Sequence, residues 1–154
     1  MKSNTKHFTD TIFYQVELTA RYTKMLGTQL FGKLGAGLTI EEFSALDTIS
    51  AHEELCQRDL AKLILKDRAN TGKLLDSLEQ KGLITRELAI KNNRPVKFVK
   101  ITKEGLKVYT ETYSKLEPHH KIVKERIANT DLEKLGELLR DLREILEDTI
   151  DIDI

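Results

Sequence analysis

Apolar residues recur along the chain at spacings that predict several amphipathic helices and one pair of strands. A first helix is expected over about residues 8–31, after which the sequence FGKLGAG interrupts the pattern. A second helix begins near residue 40, because Thr39-Ile40-Glu41-Glu42 has the form of a capping box. The inward face of this second helix is expected to carry Phe43, Leu46 and Ile49.

Two shorter helices follow with only a few residues between them. The first, QRDLAKLI, turns Leu60, Ala61 and Ile64 inward. The second starts at an N-cap, Asp67, and stops at a C-cap glycine, Gly82. Its buried stripe is Thr71, Leu74, Leu75 and Leu78, and its outward face carries Arg68, Asn70, Gly72, Lys73 and Ser77. This spacing predicts a helix-turn-helix.

From Leu83 onward the pattern becomes that of a β-hairpin. LITRELAI and VKFVKI are rich in β-branched and aromatic residues. The linking sequence KNNRP suits a turn, because Asn tolerates left-handed φ and Pro tolerates a turn. The tip of the hairpin is expected to hold Lys91, Arg94 and Lys97.

The last third of the chain predicts two helices. Thr102 can cap a helix that reaches about Ala128, with a kink at Pro118. Its inward residues would be Leu106, Tyr109, Tyr113 and Leu116. A second capping box at Thr130–Glu133 starts a helix whose leucines recur every three or four residues, and such a stripe needs a partner helix.

Composition narrows the class of protein. With 154 residues, the chain suits one compact domain with helical extensions, and 40% hydrophobic residues argue against disorder. No apolar run is long enough for a membrane span, and the first ten residues lack the apolar core of a signal peptide. Together with a single cysteine, this predicts a cytoplasmic protein without a membrane partner.

The net charge of zero conceals a strong asymmetry. Residues 57–107 carry 13 basic and 6 acidic side chains, whereas residues 1–56 carry 5 and 7, and residues 108–154 carry 7 and 12. A basic middle between acidic ends is typical of a surface that binds a polyanion, although lysines that merely solvate a surface would give a similar count.

The order of helix, turn, helix and basic hairpin is the layout of a winged helix-turn-helix, in which the second helix enters the major groove. Between Thr39 and Gly105 the sequence resembles the MarR family of bacterial transcription regulators. The resemblance rests on CQRDLAKLI, on LLDSLEQKGLITR, which includes the succession Leu78-Glu79-Gln80-Lys81-Gly82-Leu83, and on KITKEG. The predicted fold is therefore mainly α with a small β-hairpin wing and dimerisation helices at both ends.

The resemblance implies a homodimer that binds a palindromic operator in double-stranded DNA, often released by a small-molecule effector or an oxidant. It divides the chain into an N-terminal dimerisation helix and linker (1–38), a DNA-binding lobe (39–105) and C-terminal dimerisation helices (106–154). The two recognition helices would lie about 34–36 Å apart along the duplex.

The candidate DNA contacts lie on both short helices and the wing. Asn can pair bidentately with adenine and Arg with guanine, whereas Lys suits phosphate or guanine. The predicted contacts are Gln57, Arg58, Arg68, Asn70, Thr71, Lys73, Ser77, Arg86, Arg94 and Lys97.

Other residues suggest regulation. Tyr14, Tyr22, Tyr109 and Tyr113 could line an effector pocket, or they belong to the core and the interface. Cys56 stands at a helix start, where it is either an oxidant sensor or a substitute for a Ser or Thr cap. His119-His120 does not predict a metal site, because adjacent histidines on a helix diverge by about 100° and no further ligand is suitably spaced.

No nucleophile elbow, phosphate-binding glycine loop or metal-ligand pair appears, so the sequence predicts neither an enzyme nor a cofactor. We expect a dimeric DNA-binding transcription regulator, a repressor. The alternative is a winged-helix protein-interaction module without base readout. This alternative is prompted by Gly72 and by Asn93-Arg94-Pro95 at the wing tip, where the family commonly has Asp then Arg.

Overall fold

The computed structural model describes residues 6–151, which form six α-helices and one three-stranded antiparallel sheet. The helices are α1 (Ile12–Leu34), α2 (Ile40–Ser50), α3 (Gln57–Leu63), α4 (Arg68–Gln80), α5 (Lys103–Arg126) and α6 (Asn129–Thr149). The strands are β1 (Leu55–Cys56), β2 (Ile84–Lys91) and β3 (Arg94–Ile101), in the sheet order β1-β3-β2. The predicted mainly α fold with a hairpin wing is confirmed.

The chain divides into two compact units, Met1–Phe43 and Ser44–Ile154. Residues 1–5 and 152–154, the ends of the two predicted dimerisation segments, lie outside the described residues. The division of the chain by role into three parts stays a prediction. Within the described residues, no helix combines the length and apolar character that crossing a membrane requires.

The first unit contains α1 and the start of α2. Helix α1 begins and ends later than predicted, because Thr11 acts as its N-cap and Gly35, with a φ of 59°, ends it. The capping box of α2 is confirmed: Thr39 N donates to Glu42 Oε2 (2.9 Å), and Glu42 N donates to Thr39 Oγ1 (3.1 Å).

The second unit is built around a small apolar core. Leu46, Ile49, Leu60, Leu75, Leu78, Ile84 and Val99 are its largest fully buried apolar side chains. Strand β1 pairs Leu55 with Val99 and Cys56 with Phe98, which closes the sheet beside the start of α3. The residue pattern does not predict β1, because two residues are too few to show an alternating pattern.

The hairpin of β2 and β3 turns through two residues only. Asn92 and Asn93 have φ values of 53° and 59°, which a two-residue turn of this kind requires and Asn tolerates. Pro95, predicted to belong to the turn, instead lies in β3 opposite Ile90. The residues next to a two-residue turn exchange hydrogen bonds, so the nitrogen of Pro95 points away from β2 and its missing proton costs no pairing.

Helix α5 begins at the predicted cap, since Gly105 N donates to Thr102 Oγ1 (2.9 Å), and it continues through Pro118. Its buried side is formed by Gly105, Thr112 and Leu116. The prediction that Leu106 and Tyr113 face inward is wrong for the single chain, where both are about half exposed. The buried residues lie instead on the adjacent face of α5 that contains Gly105, because this glycine lets the helix approach the backbone at Leu83.

The second predicted capping box is wrong. Helix α6 starts at Asn129, because Asp131 N and Leu132 N both donate to the carbonyl of Ala128, and Ala128 offers no side-chain cap. Thr130 therefore lies inside the helix. No described residue of α6 is buried, and its apolar face is exposed in the single chain.

Candidate nucleic-acid interface

A wide cleft of about 960 Å³ lies between α3, the start of α4 and the hairpin. Among its lining residues only Asp59 is acidic. Six are basic: Arg58, Lys62, Arg68, Lys91, Arg94 and Lys97. Within residues 6–151 none of these six forms an ion pair. The cleft therefore has a large excess of positive charge that no neighbouring carboxylate neutralises.

The start of α3 forms one wall of the cleft. Cys56 is its N-cap: Sγ accepts from Asp59 N (3.4 Å) and donates to Asp59 Oδ2 (3.0 Å). Arg58 is exposed beside it, and Gln57 is half-buried with its Oε1 atom out of reach of solvent and of any hydrogen-bond donor. Arg58 is thus well placed for an anion, whereas Gln57 packs against the protein.

Helix α4 begins at the predicted cap, Asp67. Its Oδ1 accepts from Asn70 N (2.8 Å) and its Oδ2 accepts from Asn70 Nδ2 (2.6 Å). These two hydrogen bonds, the backbone one above all, lower the pKa of Asp67. The amide of Asn70 is consequently engaged within the protein, and pairing with a base would require it to exchange this partner.

The other predicted residues of α4 differ in accessibility. Lys73 is exposed, Ser77 is half-buried, and Thr71 is fully buried with its hydroxyl donating to the carbonyl of Lys66 (3.3 Å). The burial of Thr71 speaks against a base contact. Gly72 leaves room on this face, because an added Cβ would find only Gln57 Nε2 within 4 Å, at 3.8 Å.

The hairpin places Arg94 and Lys97 on the wall opposite α3, and both are exposed. Two further basic residues of the cleft were not among the predicted contacts. Lys91, predicted only to lie at the tip, has its Nζ 5.8 Å from the centre of the Phe98 ring. Lys62 lies on α3, the helix before α4, and nothing else in the sequence distinguishes it from other surface lysines.

Arg86 has surroundings unlike those of the cleft residues. Its Nη2 donates to Asp76 Oδ1 and to Glu79 Oε2, both at 2.6 Å, and its Nε donates to Glu79 Oε2 at 3.2 Å. Its side chain is only 17% exposed. The pair with Glu79 raises the pKa of Arg86 and lowers that of Glu79. This arginine connects β2 to α4.

The four predicted effector tyrosines are divided between the two units. Tyr14 stacks edge-on against Phe8 in the first unit, where Tyr22 is 67% exposed. In the second unit Tyr109 Oη donates to Asp47 Oδ1 (2.6 Å), and its ring lies 6.1 Å from that of Tyr113. None of the four lines the basic cleft. The effector pocket stays a prediction.

Cys56 was predicted to be either a helix cap or an oxidant sensor. Its buried thiol accepts a hydrogen bond from Asp59 N, as a capping side chain does, and also donates one to Asp59 Oδ2, which fits the structural role. Its role as an oxidant sensor stays a prediction. Among the described residues, no group of three or more His, Cys, Asp or Glu side chains is arranged to hold a metal ion.

Two short helices, α3 and α4, followed by a basic β-hairpin define a winged helix-turn-helix domain. Residues 38–96 match the model of the MarR family. Over these residues the chain is therefore similar to the MarR family.

Solved structures show the same fold over most of the chain. The MepR-DNA complex of S. aureus is 22% identical, with a TM-score of 0.73, and the match covers 91% of this chain and 99% of MepR. A MarR-family regulator from Rhodococcus sp. RHA1 is 20% identical, with a TM-score of 0.78 and coverage of 90% and 96%. Wild-type apo MarR from E. coli is 19% identical, with a TM-score of 0.69 and coverage of 86% and 96%. No curated protein sequence matches the chain significantly.

Proposed function

We propose that this chain is a dimeric, sequence-specific DNA-binding transcription regulator, a repressor that acts in the cytoplasm by occluding a promoter. The main support for the proposal is the basic cleft, where six cations from α3, α4 and the hairpin surround one space and form no ion pair with any described residue. The MarR-family match of residues 38–96 and the likeness to MepR, solved in complex with DNA, support it.

The proposed contacts follow from accessibility. Arg68 and Lys73 on α4 are exposed for the major groove, while Arg58, Lys62, Lys91, Arg94 and Lys97 are placed for phosphates beside it. Arg86 and Thr71 are left out of the proposed set, because the first is held by two carboxylates and the second is buried.

Salt dependence tests DNA binding directly. If each lobe of the dimer neutralises five phosphates, so that the complex neutralises ten, log K falls with log salt with a slope of about −9. The probe is duplex DNA selected from a random pool, with affinity measured by fluorescence anisotropy at several salt concentrations. Lys97→Ala should weaken binding and, because it removes one contact from each lobe, make the slope less steep by about 2. Lys100→Ala, on the same strand but outside the cleft and paired with Glu87, should leave the slope unchanged.

Gly72 provides a second test of the groove-facing role of α4. Gly72→Ala places a methyl group in open space at 3.8 Å from its nearest neighbour, so it should raise the free energy of unfolding by up to about 1 kcal/mol. If α4 approaches DNA closely at this position, the same substitution lowers DNA affinity. A variant that is more stable and binds DNA equally well would contradict the close approach.

Dimerisation is proposed through the terminal helices. The apolar face of α6 is exposed in the single chain and includes Leu135, Leu138, Ile145 and Leu146. Leu138→Glu should therefore shift the chain to a monomer in analytical ultracentrifugation. Arg140→Gln makes the same change of net charge on the opposite face of α6 and should leave the dimer intact. Two monomeric or two dimeric variants would count against this interface.

The second candidate is a winged-helix protein-interaction module without base readout. Two observations favour this module. The Asn70 amide donates a hydrogen bond to Asp67, and Thr71 is buried, so two of the residues predicted to contact bases are not available to do so. Selection from a random DNA pool decides between the two. A palindromic motif supports the regulator, whereas no enriched motif and an affinity that does not vary with salt support the module.

We propose release by an effector as part of the same function. Binding of a small molecule would favour the free state by changing the spacing of the two recognition helices. Tyr109 and Tyr113, whose ring centres lie 6.1 Å apart in the second unit, are the proposed lining residues of that site. A screen for ligands that lower operator affinity, repeated on Tyr113→Ala, tests this part, and unchanged ligand sensitivity in that variant would argue against it.

A further inference from the structure

We propose that Arg86 is a positioning residue that holds the hairpin at a set angle to α4 through Asp76 and Glu79, and that it does not contact DNA itself. We call these three residues the hairpin clamp. The inference rests on the proposed DNA binding and deepens it by assigning what sets the geometry of the cleft.

The clamp connects two elements that form opposite sides of the proposed DNA-binding surface. Arg86 lies on β2, opposite Val99 of β3, and its guanidinium makes three hydrogen bonds to two carboxylates on α4. The planar guanidinium offers donors in a fixed arrangement, so the two carboxylates restrain its direction as well as its distance. A lysine, as a point charge, would not restrain direction in this way.

The charges argue against a phosphate contact. Two carboxylates lie 2.6 Å from Nη2, so the three clamp groups together carry a net negative charge. The side chain of Arg86 is also only 17% exposed. By contrast, Arg94 and Lys97 in the cleft are exposed and form no ion pair with a described residue. A phosphate would bind near those residues rather than near the clamp.

The hairpin beyond the clamp has little else to hold it. Leu88 and Ile90, which follow Arg86 on the same face of β2, are 72% and 79% exposed. The turn at Asn92 is six residues further along the strand than Arg86, which is about 20 Å at 3.3 Å per residue. A rotation of about 10° at the clamp would therefore displace the tip by about 3 Å, enough to separate its cations from their phosphates.

The test compares two substitutions that remove the same charge. Glu79→Gln weakens the clamp, whereas Glu87→Gln removes an exposed carboxylate of β2 whose ion pair is with Lys100. Both relieve repulsion of DNA, so charge alone predicts equal or tighter binding for both. The clamp predicts about a threefold loss of affinity for Glu79→Gln and no loss for Glu87→Gln, measured on the selected duplex by fluorescence anisotropy.

A double-mutant cycle with Arg86→Gln completes the test. Arg86→Gln alone should lower affinity about tenfold. Glu79→Gln added to it should cause no further loss, because the clamp is already broken. If Arg86 instead contacts a phosphate, Glu79→Gln raises affinity in both backgrounds. That result, or Glu79→Gln behaving like Glu87→Gln, overturns the proposal.

Amide hydrogen exchange gives a readout that does not depend on DNA. Amides of β2 and β3 should exchange faster in Glu79→Gln and in Asp76→Asn, and not in Glu87→Gln, while amides of α5 remain unchanged in all three. These three variants alter exposed carboxylates, so they can be measured even if Arg86→Gln does not fold. Unchanged hairpin exchange in both clamp variants overturns the proposal. A wild-type chain that binds no DNA overturns the proposed function and, with it, the role of the clamp in binding.

Discussion

Gly105 is the position where a single methyl group should have the largest effect on stability. A Cβ at Gly105 would lie 2.0 Å from the carbonyl oxygen of Leu83 and 2.8 Å from Ile101 Cγ1. That carbonyl also accepts a hydrogen bond from Thr102 N at 3.0 Å, so it cannot move without loss. Because the nearest obstacle is backbone, Gly105→Ala should force the start of α5 away from the sheet.

The magnitude follows from three contributions. Overpacking costs about 2 kcal/mol, and loss of one backbone hydrogen bond costs about 1 kcal/mol. The better helix propensity of alanine returns about 1 kcal/mol. The expected net loss in the free energy of unfolding of Gly105→Ala is about 2 kcal/mol, which corresponds to a fall in Tm of about 4–8 °C for a chain of this size.

The measurement is urea denaturation at one fixed protein concentration, because a dimer would make stability depend on concentration. Gly32→Ala is the matched control: it makes the same change inside α1, where an added Cβ meets nothing within 4 Å. That variant should gain up to about 1 kcal/mol. Equal effects of the two substitutions, or a neutral Gly105→Ala, would refute the reasoning from close approach.

Three further predictions concern local features. Leu65, which follows α3, has a φ of 49°, a conformation that glycine adopts without the strain of a side chain. Leu65→Gly should therefore raise the free energy of unfolding by about 1 kcal/mol in urea denaturation. A lower free energy of unfolding would instead show that packing of the leucine side chain outweighs the strain. Cys56→Ala should cost about 1 kcal/mol by removing the cap of α3, whereas Cys56→Ser should cost much less; equal losses would contradict the capping role. The hydrogen bond to Asp47 raises the pKa of Tyr109 to about 12, above the ordinary value of 10.0. The folded state therefore retains a proton that the unfolded state releases, so this contribution to stability is present below pH 10 and is lost as pH rises towards 12; Tyr109→Phe should flatten that part of a stability profile.

Features that depend on neighbouring residues were predictable. The capping box of Thr39 and Glu42, the cap at Asp67 and the turn at Asn92 each need only residues within four positions of one another. The box predicted at Thr130 failed for a local reason as well. The carbonyl of Ala128 accepts the first hydrogen bonds of α6, so the helix had already begun before Thr130.

Features that depend on distant residues were not predictable. Arg86 was expected to contact DNA because it is basic and lies on the wing, but its partners Asp76 and Glu79 are on another element. Leu106 was expected to be inward because it is apolar at helical spacing, yet the close approach at Gly105 turns a different stripe of α5 towards the core.

The order of the residues was enough to predict the class of fold, most helix caps, the basic character of residues 57–107 and the leucine stripe of α6, because spacing and charge can be read along the chain. Which cations share the cleft, and which one is neutralised, depends on the folded arrangement. Arg58, Lys62 and Arg94 meet across one space, while Arg86 is held by two carboxylates. Charge counts along a chain are additive, but whether a charge is available depends on which side chains lie within a few ångströms of it, and folding alone sets those distances.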